Sequence, residues 1–77
     1  MSYKAYLALD ILVTDEEKKQ LLEMQNSGVE SMDSLGRIMV PGSIEQRIYK
    51  IKPHIRDVNN VVILYDLKLE RFELAFY

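Results

Sequence analysis

The sequence predicts an α+β fold: a small, largely antiparallel sheet of three or four strands with two helices packed on one face. Three observations predict it. Apolar residues alternate with period two near both ends of the chain, they recur at helical spacing through residues 44–55, and a Thr-x-x-Glu box stands at the mouth of an acidic segment.

The first strand is expected over residues 3–13. Its odd positions Tyr3, Ala5, Leu7, Leu9, Ile11 and Val13 are uniformly apolar, while Lys4, Tyr6, Ala8, Asp10 and Leu12 are mixed. That is the pattern of a strand with one face on a core and one partly wet. A helix follows over residues 15–27. Thr14 and Glu17 have capping-box spacing, and Asp15, Glu16 and Glu17 fall where a helix N-terminus favours negative charge. Its apolar positions are Leu21, Leu22 and Met24, so the C-terminal half does the packing, and Gly28 is the expected left-handed stop.

Residues 29–36 are polar, with Val29, Met32 and Leu35 spaced by three, and read as a loop containing at most one helical turn. A short strand over 37–40 comes next. Val40-Pro41-Gly42-Ser43 reads as a tight turn, with proline setting φ at its second position and glycine admitting positive φ at its third. Beyond it, Ile44, Ile48, Ile51 and Ile55 recur at i, i+4, i+7 and i+11, and Ser43 with Gln46 repeats the capping spacing. A helix over 44–52 is therefore expected, ending before Pro53, although Arg47-Ile48-Tyr49-Lys50-Ile51 also suits a strand.

The last twenty residues hold the densest apolar run. Odd positions from Val61 to Leu69 are apolar, then the phase flips to Phe72, Leu74 and Phe76. A two-residue turn at Glu70-Arg71 between strands 61–69 and 72–77 accounts for the flip. That register sets Leu69 against Phe72, Leu67 against Leu74 and Tyr65 against Phe76 on the inner face, and pairs Lys68 with Glu73 on a solvated outer face. Glu-Arg is poor chemistry for such a turn, which leaves a longer loop or a bulge open. A helix from Leu67 competes, since Leu69, Phe72 and Phe76 fall at i, i+3, i+7.

At 77 residues the chain is read as one domain, 1–77, near the size at which one core just offsets chain entropy. Its 48% hydrophobic content is too high for a disordered chain, and the absence of cysteine excludes disulfides and thiolate metal sites. The N-terminal apolar stretch is short and broken by Asp10, without the form of a signal peptide or a membrane span, so a cytoplasmic protein with no membrane association is expected.

The net charge of −2 is unevenly spread. Residues 1–35 carry seven acids against three bases, whereas residues 36–58 carry five bases against two acids. The candidate partner-binding residues are these five bases, Arg37, Arg47, Lys50, Lys52 and Arg56, with Tyr49 as a stacking platform and Tyr77 as an exposed terminal aromatic. A solvated helix face opposite the isoleucines accounts for most of the same bases more simply. His54-x-x-Asp57 is the only general-base spacing, and chance placement in a polar loop explains it better. No catalytic, cofactor or metal site is expected. The reading favoured is a non-enzymatic protein-interaction module, a homo-oligomer or a binder of another protein's surface. A nucleic-acid-binding accessory protein using residues 37–56 is the alternative, with weak affinity expected because the chain is acidic overall. The terminal strand, if it lies at the sheet's edge, is the expected template for self-association.

Overall fold

The computed structural model describes residues 3–26 and 36–77. In chain order the elements are β1 (Ala5–Ala8), α1 (Asp15–Asn26), β2 (Arg37–Met39), α2 (Gly42–Ile51), a 3-10 helix (Pro53–Asp57), β3 (Val61–Asp66) and β4 (Arg71–Phe76). The four strands form one antiparallel sheet in the order β1-β4-β3-β2. The expected α+β class, two helices on an antiparallel sheet, is what the chain adopts. The C-terminal strand is central, however. β4 is paired on both sides, and among the described residues the edges are β1 and β2.

The core lies between the sheet and the helices. Ile38, Ile63, Tyr65, Phe72 and Leu74 from the sheet cluster with Leu21 of α1, Ile44 and Ile48 of α2 and Ile55 of the 3-10 helix. Ile11 and Val13 join them from the segment that carries the chain from β1 to α1, with Leu9 packed alongside. The odd-position periodicity of residues 9–13 thus marks core contact, but not strand. β1 stops at Ala8, and Leu9 makes one last ladder bond to the Phe72 carbonyl, 2.9 Å.

α1 starts as its sequence dictates. The Thr14 amide donates to Glu17 Oε1 at 3.0 Å, and the Glu17 amide donates to Thr14 Oγ1 at 3.1 Å, a complete capping box. Leu21 is buried and Met24 partly so, but Leu22, expected on the packed face, is exposed. The expected stop at Gly28 and the loop at 29–35 lie outside the described residues.

α2 is a helix, not a strand, and begins two residues before the expected 44. Pro41 is its N-cap, and the Pro41 carbonyl accepts from the Ile44 and Glu45 amides at 3.1 and 3.0 Å. The expected tight turn and the Ser43/Gln46 box are therefore absent: Gly42 is helical, with no positive φ, and no side chain caps the helix. Proline suits this place because its missing N–H is one that a helix start cannot satisfy internally. Of the four isoleucines, Ile44, Ile48 and Ile55 are buried and Ile51 is exposed. Pro53 ends α2 and opens the 3-10 helix, whose tighter winding turns Ile55 back to the core.

The C-terminal hairpin is present, but its register differs from the expected one. Tyr65 faces Phe72, Ile63 faces Leu74 and Val61 faces Phe76. The turn is residues 67–70, not Glu70-Arg71 alone. Asp66 organises it: its carbonyl accepts from the Glu70 amide at 2.8 Å, and its Oδ1 accepts from the Lys68 and Leu69 amides, both at 2.9 Å. Glu70 closes the loop in the left-handed region, φ 53°. The helix that competed for this segment is excluded by the ladder. Leu69, expected in the core, is 57% exposed at the tip, Leu67 is half-buried in the turn, and the Lys68–Glu73 pair does not exist because Glu73 stands opposite Leu64.

Candidate functional site

Two regions stand out on the surface, and both follow from the strand order. The first is the sheet face turned away from the helices. Strand alternation places Arg37 and Met39 of β2, Leu64 and Asp66 of β3, Arg71, Glu73 and Ala75 of β4, and Tyr6 of β1 on this face. It was expected to be solvated at Glu73. Instead Glu73 is 1% exposed, and Leu64, Ala75, Asp66 and Arg37 are buried as well.

The reason is a charge network laid across the strands. Arg37 Nε donates to Glu73 Oε1 at 2.6 Å and stands 3.9 Å from Asp66 Oδ2, while Arg71 Nε donates to Glu73 Oε2 at 3.0 Å. The Arg37 guanidinium carbon also lies 3.9 Å from the centroid of the Tyr6 ring. Arg37 therefore reaches from one edge strand across both central strands to the other edge strand. Tyr6 stands opposite Ala75 and Leu64 opposite Glu73 in the ladder, Leu64 and Ala75 are fully buried on this face, and two bases balance two acids there. Tyr3 stacks edge-on against Tyr6 at 5.9 Å and against Tyr77 at 6.4 Å, which extends the aromatic row to the chain end.

The five bases of the middle segment do not converge on one surface. Arg37 belongs to the network just described. Arg47 is spent on the other side of the molecule: its Nε donates to Glu17 Oε2 at 2.7 Å, and its Nη2 donates to Glu17 Oε1 and to the Leu12 carbonyl, both at 2.8 Å. One guanidinium thus ties α2 to the α1 capping box and to the β1–α1 crossover. Partial burial opposes ionisation of Glu17, but the Arg47 hydrogen bonds and charge, with the Thr14 amide and hydroxyl, outweigh it and hold the carboxyl below its ordinary range.

Of the other candidates, Tyr49 and Lys50 lie on α2, Lys52 at its junction with the 3-10 helix and Arg56 on the 3-10 helix. Arg56 lies over the Tyr49 ring, 4.9 Å from guanidinium carbon to centroid, and contacts Gln46 Oε1 at 3.4 Å. One face of that ring is thereby occupied, and the ring packs partly on the core. Burial, then the nearby Glu45 charge, raises the Tyr49 phenol above its usual pKa. Tyr77 is exposed, as expected, with its amide donating to the Asn60 carbonyl at 3.0 Å.

His54 and Asp57 both lie exposed on the 3-10 helix. Among the described residues there is no pocket and no cluster of three or more His, Asp or Glu side chains placed to hold a metal ion. No helix among them is long and apolar enough to cross a membrane.

The second region is the β1 edge, which the reading of residues 3–13 as a core-facing strand passed over. All four residues of β1, Ala5-Tyr6-Leu7-Ala8, are exposed. Leu7 sits opposite Leu74 on the helix side of the sheet and is nevertheless 56% exposed. Leu12, just beyond, is 84% exposed. The signal available in the sequence was the even-position mixture of small and aromatic residues framed by Lys4 and Asp10.

The Glu17–Arg47 tie makes stability depend on acid pH. A carboxyl whose pKa is lower folded than unfolded contributes stability above its unfolded pKa, and that contribution is lost as pH falls through the folded value. Between pH 7 and pH 3 the urea midpoint of the wild type should therefore fall further than that of Arg47→Gln. Equal falls in the two proteins would show that the pair contributes nothing. Compared with family models, curated proteins and solved structures, the chain matches none.

Proposed function

We propose that this protein is a non-enzymatic interaction module that binds another polypeptide chain along the outer edge of β1. The observation that supports this reading is the β1 edge itself: a strand of four exposed, uncharged residues at the end of the sheet. Edge strands that must not pair are usually guarded by inward charges, proline or extreme shortness. β2, at the opposite edge, is three residues long, holds Arg37 and is followed closely by Pro41. β1 contains neither a charge nor a proline.

Strand addition supplies affinity through main-chain hydrogen bonds, and side chains on alternate residues supply selectivity. In the β1–β4 ladder Leu9 bonds to Phe72, so by antiparallel alternation Ala5 and Leu7 also face β4, and the Ala8 peptide group points away from it. Ala8→Pro then removes an outward N–H and leaves the β4 ladder intact. The test is affinity capture with wild type and Ala8→Pro, each checked for native circular dichroism. A captured chain that is lost with Ala8→Pro is expected, and capture unchanged by the substitution overturns the reading.

Dispersal of the bases argues against a nucleic-acid interface. Arg37 and Arg47 are engaged by Glu73 and Glu17, which leaves Lys50, Lys52 and Arg56 for phosphates. Anisotropy with labelled single- and double-stranded DNA and RNA should give dissociation constants no tighter than about 10⁻⁴ to 10⁻⁶ M at physiological salt. Nanomolar binding to any of them would replace the protein-interaction reading with a nucleic-acid one.

A further inference from the structure

We infer that the chain bound by β1 is a second copy of this protein, paired antiparallel about a two-fold axis through Leu7. The inference rests on the reading of β1 as the binding edge and adds the identity of the partner. It follows from the order of residues 4–10, Lys-Ala-Tyr-Leu-Ala-Leu-Asp. An apolar stretch with a base three residues before its centre and an acid three residues after it is complementary to itself when reversed. In an antiparallel pair centred on Leu7, Lys4 of each copy stands opposite Asp10 of the other, and the two Leu7 residues face each other on the axis.

The backbone allows this register. Within β1, Tyr6 and Ala8 turn their peptide groups away from β4, so even-numbered residues must oppose even-numbered ones. Centring on Leu7 satisfies that parity. Moving the centre by one residue in either direction keeps the parity, but sets Lys4 against Ala8 or against Leu12 and leaves Asp10 without a base. The charges thus choose one register among those the hydrogen bonds permit. Lys4 and Asp10 flank the strand and are both exposed, and neither forms an ion pair among the described residues. The Lys4 amide is turned inward to the Phe76 carbonyl at 2.7 Å, so Lys4 meets Asp10 through its long side chain and adds no ladder bond.

The side chains gain as well. Residues at a non-hydrogen-bonded antiparallel site approach most closely, so the two half-exposed Leu7 side chains meet on the helix side of the joined sheet. The result is a continuous eight-stranded sheet, β2-β3-β4-β1 followed by its symmetry mate. A single pair of short strands covers less area than a tight interface, so micromolar association is expected. Being isologous, it closes at two copies and does not propagate into a fibre.

Sedimentation of the full chain across a hundredfold dilution, with three charge variants, tests the arrangement. Wild type should dimerise. Lys4→Glu alone sets acid against acid at both symmetry-related contacts, Asp10→Lys alone sets base against base at both, and each should weaken self-association about tenfold or more. The double variant Lys4→Glu/Asp10→Lys should recover the dimer. An equimolar mixture of the two single variants should recover association as a heterodimer, which has one contact of wild-type sign and one of reversed sign, both attractive. A wild type that stays monomeric throughout, or a dimer indifferent to all four charge arrangements, overturns the inference. Ala8→Pro separates it from the reading beneath it. A monomeric wild type that captures a different protein in an Ala8→Pro-sensitive manner overturns self-pairing and keeps the edge. Self-association unaffected by Ala8→Pro places the dimer contact elsewhere and overturns self-pairing at β1, while capture unaffected by Ala8→Pro overturns the edge reading itself.

Discussion

Glu73→Ala is expected to destabilise the fold by about 3–5 kcal/mol, read from the urea midpoint with an unchanged m-value. Glu73 sits on a central strand with its side chain 1% exposed, and both of its oxygens accept from guanidinium groups. Truncation leaves Arg37, whose side chain is only 10% exposed, without its nearest carboxylate; Asp66 at 3.9 Å is too far for a direct hydrogen bond. The cost therefore comes mainly from a buried charge that loses its nearest counter-charge and its shortest hydrogen bond, not from the net worth of the pair. A double variant isolates that cause. Arg37→Met with Glu73→Leu removes both charges and keeps apolar volume on this face of the sheet, and should cost clearly less than Glu73→Ala alone. If Glu73→Ala costs under about 1 kcal/mol, Glu73 is solvated, as simple strand alternation has it, and the network is not as described.

Phe72→Ala should cost about 3–5 kcal/mol, whereas Leu69→Ala should stay within about 0.5 kcal/mol. Phe72 is fully buried, stacks edge-on against Tyr65 at 5.9 Å and lies opposite it in the ladder. Leu69 is at the tip of the turn. A two-residue turn would make these residues cross-strand neighbours on the core face, and the two truncations would then cost similar amounts. Comparable values would refute the four-residue turn, and widely separated values are expected from it. Both substitutions are apolar-to-alanine, so differences in charge or salt response do not enter the comparison.

The two registers differ by a shift of four residues, an even number, and that explains why the sequence does not distinguish them. Period-two patterning is unchanged by any even slip, so Phe72, Leu74 and Phe76 keep the same face in either case. The signal that does distinguish them is Asp66. Its carboxylate organises a turn that begins one residue later, and aspartate ahead of a turn is recognisable chemistry that the apolar alternation of Leu67 and Leu69 masks. The β1 segment fails in a related way. Leu9, Ile11 and Val13 contact the core at strand-like spacing, yet only Leu9 keeps a ladder bond. Alternation reports which side of the chain is buried, and it does not require a hydrogen-bonded neighbour.

By itself the sequence determined what depends on neighbours within a few residues. The Thr14/Glu17 box sets the start of α1, the isoleucine spacing makes α2 a helix, Pro53 stops it, and alternation assigns Ile63, Tyr65, Phe72 and Leu74 to the core face. The tertiary structure alone decided the order of the strands, and most of the surface follows from that order. Placing β4 between β1 and β3 sets Glu73 under Arg37, thirty-six positions away, and makes a solvated position a buried one. It also carries β1 to the edge, where residues patterned for a core remain exposed. Strand order is a choice among long-range pairings of similar local quality, settled by the summed packing and charge balance of the whole sheet, and no short window of sequence contains that sum.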